Sequence, residues 1–244
     1  ADIIRFPNCP PEHQAAPSSL LRSALFGIVK RGKRAYLENV DIASWESVKI
    51  TYTGARLMQS DLDVWLACVE ACARQKSTNI VISQRELMRL AGRKNSNSKR
   101  LWIDLERQMC SVVRIQDCRF TYSGSLIHEA VKDEKTGHIE LSINPKMLIL
   151  FGGNVTHIET STRHALKGDL TKWLHGYVLS HKSTWRQPHF IGLEKLQALS
   201  GSEIAAMRDF RVKIKKSMNE LKAYDVVAGW KLEDDILTLW RASK

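Results

Sequence analysis

The chain has 244 residues, of which 43% are hydrophobic and 26% are charged, which suits one large domain or two of ordinary size and excludes an extended disordered polyelectrolyte. Its 37 Lys and Arg exceed its 26 Asp and Glu, so the formal net charge of +11 favours a polyanionic partner, nucleic acid first and an anionic membrane surface second. No apolar run approaches the roughly 18 residues that a membrane span needs.

The five cysteines do not form a pattern typical of a disulfide scaffold. Their number is odd and none lies in a Cys-x-x-Cys motif, so we expect a reduced chain in the cytoplasm. Cys68 and Cys72 have the i,i+4 spacing of one helix face, which could hold a metal ion, but no second His or Cys pair completes a ligand set. We therefore predict buried thiols at both positions, with no metal site and no cofactor.

The N-terminal segment is rich in proline. Four of the six prolines of the chain lie there, at Pro7, Pro10, Pro11 and Pro17. This composition predicts that residues 1–19 form an extended lead-in without a core of its own. Because the chain does not begin with Met, we also expect that an upstream segment precedes it in the complete protein.

The next stretch has helical periodicity. Residues 60–75 begin with a polar cap and carry one apolar helical stripe, and residues 80–82 form a short β-branched run. Ser83 and Glu86 have the spacing of a capping box, in which each side chain satisfies the backbone N–H of the other residue. Gly92 suits the left-handed end of the helix that follows. These features predict a helix, a strand and a second helix.

A third helix is predicted near residues 99–110, after a polar turn. The periodicity then changes to two, which predicts strands at residues 112–115 and 119–122 and a hairpin formed by 125–131 and 138–143. The resulting order of helix, short strand, helix, turn, helix and hairpin is that of a winged helix-turn-helix.

The same order recurs in the C-terminal part without obvious sequence identity. Helices are predicted at residues 170–178, 192–199 and 203–222, followed by a hairpin at 225–240. The sequence therefore predicts an α+β protein with two tandem winged helix-turn-helix domains. We place the first domain at residues 20–155 and the second at residues 156–244, because Gly152-Gly153-Asn154 interrupts the pattern between them.

The last helix of a helix-turn-helix presents its solvent face to the major groove of DNA. In the second domain, a capping box formed by Ser200 and Glu203 predicts that this helix begins at residue 203. Its predicted solvent face carries Ala205, Arg208, Asp209, Val212, Lys216 and Asn219, with Lys213 and Lys215 on the flanks.

Two kinds of DNA contact are expected from that face. Arg208 is suited to bidentate binding of guanine, and Val212 to contact with a thymine methyl group. Lys213, Lys215 and Lys216 are suited to phosphates. An ordinary solvated helix face would have the same composition, but a second candidate recognition helix and two wings favour DNA.

The recognition helix of the first domain is preceded by a polar turn. Side chains that could hydrogen-bond bases or phosphates cluster there, although they are also common in any surface turn. The predicted DNA contacts are Lys94, Asn95, Asn97, Lys99 and Arg100, with Ser96 among them. The wing turns differ in charge, because Lys132 and Lys135 suit a phosphate backbone whereas residues 233–235 are all acidic.

Six stretches of the chain carry information beyond their periodicity. They are Leu20-Leu21-Arg22-Ser23-Ala24-Leu25-Phe26, Lys49-Ile50-Thr51-Tyr52-Thr53-Gly54, Asp61-Leu62-Asp63-Val64-Trp65, Leu150-Phe151-Gly152-Gly153, Ser180-His181-Lys182 and Leu199-Ser200-Gly201-Ser202. Together they resemble the TrfA family, the replication initiators of broad-host-range plasmids. The first two are fairly specific, the others match at the level of pattern, and the resemblance covers residues 20–241.

The resemblance implies a Rep-type initiator with two winged-helix domains. Such proteins bind directly repeated sites (iterons) in double-stranded origin DNA, help to melt an adjacent AT-rich segment, and bring in the host replicative helicase and initiator proteins. They bind iterons as monomers in equilibrium with homodimers, which tend to be inactive or repressive, as in plasmid copy control. No membrane partner is expected.

Two other functions remain open from the residues alone. A winged-helix transcriptional repressor would bind an operator as a dimer, although two different units in one chain are unusual for that class.

A DNA-processing enzyme would need motifs that the sequence lacks, such as a phosphate-cradling Gly-x-x-x-x-Gly-Lys-[Ser/Thr] loop or the His-hydrophobic-His pair of a nickase. Most carboxylates fall in the first turns of predicted helices, where the helix dipole accounts for them. We therefore predict that the chain is not an enzyme.

Overall fold

The computed structural model describes residues 6–29, 32, 34–45, 48–94 and 98–242 of the chain. In chain order, the elements up to the first wing are β1 His13–Pro17, α1 Ser18–Leu21, β2 Phe26–Gly27, β3 Tyr36–Ile42, β4 Lys49–Ala55, β5 Leu57–Met58, α2 Gln59–Gln75, β6 Asn79–Ser83, α3 Gln84–Leu90, α4 Ser98–Met109, β7 Val112–Gln116, β8 Thr121–Gly124, β9 Ile127–Lys132 and β10 His138–Ile143. The remaining elements are a 3-10 helix Pro145–Gly152, β11 Val155–Glu159, α5 Thr160–Ala165, α6 Asp169–Ser180, β12 His189–Gly192, α7 Leu193–Ser200, α8 Met207–Ala223, β13 Val227–Glu233 and β14 Ile236–Arg241.

The first half of the chain contains a winged helix. Its helices are α2, α3 and α4, and its antiparallel sheet has the order β6-β10-β9. The strand between the first two helices therefore pairs with the second strand of the hairpin, as in winged helices. Ile139, Leu141 and Ile143 alternate along β10 and are fully buried beneath the helices.

The second half repeats this arrangement. Its helices are α6, α7 and α8, and its antiparallel sheet has the order β12-β14-β13. Leu237 and Leu239 of β14 are fully buried in the same alternating manner. The predicted α+β fold with two tandem units is confirmed, and each unit has the order of helices and strands expected of a winged helix-turn-helix.

A four-stranded antiparallel sheet with the order β3-β4-β7-β8 accompanies the first winged helix. The sequence predicts β7 and β8 but not their pairing with β3 and β4. Register places Ile50 opposite Ile115 and Tyr52 opposite Val113, and all four side chains are buried. These cross-strand pairs turn one face of the sheet towards the core. In chain order, the hairpin of β7 and β8 is an insertion between α4 and the wing.

The N-terminal segment packs against the protein, which differs from the predicted lead-in. β1 pairs antiparallel with β11, the strand that contains the predicted domain boundary. Ala15 and Ala16 are buried, and the Ser18 hydroxyl lies 2.8 Å from the Thr156 hydroxyl in a hydrogen bond. The proline content is compatible with an extended segment, but it does not reveal a strand whose partner lies far along the chain.

Two hydrophobic cores underlie the two winged helices. One includes buried residues from Ala15 to Ile158 and contains the fully buried Trp65, and the other includes residues from Leu166 to Leu239. Full burial of a large apolar side chain contributes roughly 1.5–3 kcal/mol. Ile158 packs in the first core, and the domain boundary between residues 155 and 156 stays a prediction.

The two predicted capping boxes have different outcomes. Ser83 Oγ accepts a hydrogen bond from the backbone N–H of Glu86 at 3.2 Å, which confirms the serine half of the predicted box at α3, whereas the Glu86 carboxylate accepts hydrogen bonds from Arg89. Ser200 instead closes α7, and Gly201 follows it in the left-handed conformation with a φ of 61°. α8 begins at Met207, so the predicted start at residue 203 is wrong. The residues between these two helices form the turn of the second helix-turn-helix.

Candidate nucleic-acid interface

Helix α8 has one buried apolar face and one exposed basic face. Phe210, Ile214, Met218 and Leu221 are spaced three or four residues apart and pack in the second core. The DNA contacts predicted on this helix are all exposed, and they are Arg208, Val212, Lys213, Lys215, Lys216 and Asn219. The structure therefore presents these side chains to solvent on the helix that a winged helix offers to the major groove.

Arg208 and Val212 are accessible enough for base contacts. The Arg208 side chain is 87% exposed, and its Nε lies 3.7 Å from Asp209 Oδ1 in a surface ion pair. Val212 is 63% exposed, so its methyl groups have no packing role in the core. Ala205 lies before α8 rather than in its first turn, because the helix starts later than predicted.

The second wing is attached to α8 through the acidic turn. Arg211 of α8 donates a hydrogen bond through Nε to Asp235 Oδ1 at 2.9 Å. Asp234 and Asp235 both have positive φ, which two-residue hairpins require and which Asp tolerates better than most residues. The acidic residues thus shape the turn and hold the wing beside the helix.

Helix α4 occupies the equivalent place in the first winged helix. Leu101 and Leu105 are fully buried, whereas Lys94, Lys99 and Arg100 are exposed, so three of the predicted contacts lie at the start of the helix or just before it. The predicted contacts Asn95 and Asn97, together with Ser96, lie outside the described residues.

Buried charges hold α4 against α2. Arg107 Nη1 lies 2.5 Å from Asp61 Oδ1 and 2.6 Å from Asp104 Oδ1, and both carboxylates are fully buried. Arg34 pairs with Asp61, and Arg93 pairs with Asp104. Such a network fixes the position of α4 because removal of any partner leaves a buried charge uncompensated.

The two carboxyl groups of this network have shifted pKa values in opposite directions. Burial and the adjacent Asp104 carboxylate raise the pKa of Asp61. Burial would also raise the pKa of Asp104, but hydrogen bonds from Arg107 and Arg93 hold it below the usual value. The sequence contains one sign of this network, because Asp104 falls between Leu101 and Leu105 on the apolar side of the predicted helix.

The first wing turn carries two lysines and two acidic residues. Asp133 Oδ1 accepts a hydrogen bond from the backbone N–H of Lys135 at 2.8 Å, and Gly137 has a φ of 70°. Lys132 Nζ lies 2.5 Å from Glu134 Oε2, whereas the Lys135 side chain is exposed at the tip. Lys135 is therefore the wing residue whose position best suits a phosphate.

The described residues contain no group of three or more His, Cys, Asp or Glu side chains arranged to hold a metal ion. Cys68 and Cys72 are buried, as predicted, and burial raises the pKa of Cys72 to about 12. Within the described ranges, no helix is both long and apolar enough to cross a bilayer.

Comparison with known proteins gives a family and a fold. The family model described as TrfA protein matches residues 2–241, whereas no curated protein matches the sequence. Similar solved structures include a selenomethionine derivative of domains 2 and 3 of RctB, with a TM-score of 0.60, 10% identity, and coverage of 94% of this chain and 99% of that chain. The Pi initiator protein in complex with iteron DNA has a TM-score of 0.55, 10% identity, and coverage of 76% and 94%. A further structure of RctB domains 2 and 3 has a TM-score of 0.54, 11% identity, and coverage of 88% and 95%.

Proposed function

Because the chain belongs to the TrfA family of plasmid replication initiators, we propose that it binds directly repeated sites, iterons, in the double-stranded DNA of a plasmid origin. The observation that carries this proposal is the pair of exposed recognition helices, α4 and α8, in one chain. The Pi initiator, whose fold is similar, is in complex with iteron DNA in its structure. At 10% identity this likeness supports the fold, and the DNA target of this chain stays our proposal.

The basic residues of α8 supply affinity that does not depend on sequence. Lys213, Lys215 and Lys216 bind phosphates, and each phosphate neutralised releases a counterion, which makes the affinity fall with salt. The net charge of +11 adds long-range attraction to the duplex.

Sequence choice requires contacts to base edges. Arg208 binds guanine O6 and N7, Val212 contacts a thymine methyl group, and Asn219 lies about two turns beyond Val212 along the same exposed side. In the first domain Lys94, Lys99 and Arg100 approach a second segment of the site, accompanied by Asn95 and Asn97. One chain thus binds two segments of one iteron as a monomer, and homodimers in equilibrium with it are inactive.

Binding at the origin has two consequences in this proposal. The bound protein promotes opening of an adjacent AT-rich segment, and it recruits the host replicative helicase and initiator proteins. It acts in the cytoplasm, where plasmid DNA lies, and it contributes no catalysed bond cleavage of its own.

A nuclease footprint on the origin region of the plasmid that encodes the chain tests this proposal. We expect protection that repeats at each direct repeat and weakens steeply as salt is raised. Protection of a single short palindrome would instead indicate a repressor that binds an operator as a dimer. Incubation with supercoiled origin plasmid and Mg²⁺ should leave the plasmid intact, and nicking or a covalent DNA adduct would show that the protein is an enzyme.

A further inference from the structure

The two winged helices meet at a cluster of three charged residues, of which two are buried and one is partly buried. Asp63 lies on α2, Arg163 on α5 and Lys172 on α6. Arg163 Nε donates a hydrogen bond to Asp63 Oδ1 at 2.7 Å, and Lys172 Nζ donates one to Asp63 Oδ2, also at 2.7 Å. Both oxygens of the Asp63 carboxylate are therefore held by cations, one from α5 and one from α6.

Burial makes this cluster rigid. The Arg163 side chain is fully buried, and its other nitrogens donate hydrogen bonds to Gln59 Oε1 at 3.0 Å and to the Lys172 carbonyl at 3.2 Å. Burial would raise the pKa of Asp63, but the charges of Arg163 and Lys172 hold it below the usual value, so the carboxylate stays ionised. Separating Asp63 from Arg163 would leave two uncompensated charges in a buried environment.

A second contact joins the first domain to the turn of the second helix-turn-helix. The backbone N–H of Ile28 donates a hydrogen bond to the Ser200 carbonyl at 2.9 Å. Arg56 donates through Nη2 to the Gly201 carbonyl at 3.1 Å and also pairs with Glu203. Gly27 permits this approach, because a Cβ there would lie 3.2 Å from the Ser200 carbonyl oxygen and 2.9 Å from that of Ala24.

The contacts between the domains continue to both recognition helices. On the first side, Asp61 lies two residues from Asp63 on α2 and pairs with Arg107 of α4. On the second side, Thr171 precedes Lys172 on α6 and donates a hydrogen bond to the Ser217 hydroxyl of α8 at 2.9 Å. Polar contacts therefore attach α4 to α2 and α8 to α6, and Asp63 joins α2 to α6 through Lys172.

We propose that the Asp63–Arg163–Lys172 cluster and the Arg56 contact, together the interdomain joint, set the separation and rotational phase of α4 and α8, so that the protein accepts one spacing between two half-sites. Lys172 and Arg56 are then positioning residues that act on DNA through the recognition helices. This inference rests on the proposed function, because it concerns the same DNA site.

A rigid joint has a measurable signature in DNA binding. Two linked modules gain roughly 10²–10⁴ in affinity over one module, and this gain disappears when geometry forbids simultaneous engagement. A loosened joint should bind the native spacing more weakly, because the helices are no longer pre-organised. It should also tolerate altered spacings better, because the modules can adjust.

The test uses duplexes with one iteron, as defined by the footprint, in which base pairs are inserted between the segments that the two domains protect. The insertions run from one base pair to a full helical turn of roughly 10 base pairs. The proteins are the complete chain and the variants Lys172→Met, Arg56→Met and Lys167→Met. Lys167 is exposed and five residues from Lys172, so its substitution makes the same charge change away from the joint.

We expect the wild-type protein and Lys167→Met to lose about 100-fold in affinity when half a turn is inserted. Lys172→Met should bind the native spacing about tenfold more weakly than the wild-type protein does. Insertion of half a turn should then lower the affinity of this variant only a fewfold further, and Arg56→Met should behave similarly. Arg56 keeps the test decisive if Lys172→Met fails to fold, which thermal unfolding reports.

Two outcomes would overturn the inference in distinguishable ways. If both variants keep the wild-type dependence on spacing, the joint does not set the geometry, although the proposed function stands. A uniform loss of affinity at every spacing counts as this result, since it indicates only a folding defect. If the wild-type protein binds iteron and random duplexes equally, the proposed function itself fails, and the spacing role with it.

Discussion

Arg211 in α8 donates a hydrogen bond to Asp235 in the second wing turn, with 2.9 Å between Nε and Oδ1. The backbone carbonyl of Asp235 also accepts a hydrogen bond from Leu193 at the start of α7, at 2.8 Å. The acidic turn therefore connects the wing with two helices of its own domain. This arrangement explains how a DNA-binding wing can carry acidic residues, because one carboxylate is already paired with a cation.

Asp235→Asn tests this explanation. We expect a higher affinity for random DNA, because the variant loses one negative charge, and a lower ratio of iteron to random affinity, because the wing is less fixed. The ratio should fall by about fivefold or less, since a partly exposed ion pair contributes roughly 0–1 kcal/mol. Filter binding at several salt concentrations measures both quantities. Asp234→Asn is the matched control, and identical ratios for the two variants would contradict the structural role of the pair.

Arg208 and Lys216 should contribute differently to DNA binding. Arg208→Ala is expected to cost roughly 1–3 kcal/mol on the iteron and to relax specificity at one base position. Lys216→Ala should weaken binding to all sequences alike and reduce the salt slope by about one. Competition titrations on single-base iteron variants separate these effects. Equal losses on iteron and random DNA for both variants would show that the recognition face lies elsewhere.

The buried charges beneath α4 should be important for stability. Asp104→Asn is expected to lower the free energy of unfolding by about 3–5 kcal/mol, because it leaves the Arg93 guanidinium without its carboxylate partner and leaves Arg107 paired with Asp61 alone. Urea denaturation measures this change. Glu106→Gln, at an exposed position of the same helix, should alter stability by about 0.5 kcal/mol or less. A similar small effect at Asp104 would mean that the network does not hold α4.

Two histidines in ring contact, the buried His181 and the partly buried His189, predict sensitivity to acid. Burial, together with the charges of His189 and Arg22, lowers the pKa of His181 to about 3. Burial, with Arg22 and Lys195, lowers the pKa of His189 to about 4. The unfolded chain binds protons at both residues near pH 6.5 and the folded protein does not. The free energy of unfolding should therefore fall as the pH is lowered from about 6.5 to about 4.

His181→Phe should weaken this pH dependence, because it removes one group that binds a proton only on unfolding. The ring is buried beside Trp45 at a centroid distance of 5.1 Å, so an apolar ring of similar shape should preserve stability at neutral pH. Unfolding curves at several pH values provide the measurement. His128→Phe, at an exposed position, should leave the dependence unchanged, and an unchanged dependence in His181→Phe as well would rule out this residue as its source.

Local features of the chain were predictable from the sequence. Ser83 caps α3, and this cap could be predicted because Ser83 directly precedes the apolar helical period in the chain. The same reasoning fails at Ser200, because Gly201 ends one helix there before a cap could begin another. The exposed face of α8 follows from its 3.6-residue period, which a shift in its start does not alter.

Contacts between distant segments were not predictable in this way. Strand β1 pairs with β11, and β7 pairs with β4. Because the partners are distant in the chain, the local sequence pattern of one strand does not indicate the other. Asp63 has the position of an ordinary helix-dipole residue in the first turns of α2, and nothing near it in the sequence indicates Arg163 or Lys172 as its partners. The contacts of Asp63 belong to the interdomain joint, and they became visible only in the structure.

A hydroxyl-radical footprint on a single iteron tests the central claim, that α4 and α8 bind two segments of the same site, most directly. We expect two protected segments with the wild-type protein. Replacing Lys213, Lys215 and Lys216 together by Ala should remove protection from one segment, and replacing Lys99 and Arg100 by Ala should remove it from the other. A single protected segment, or loss of the same segment in both variants, would contradict the claim.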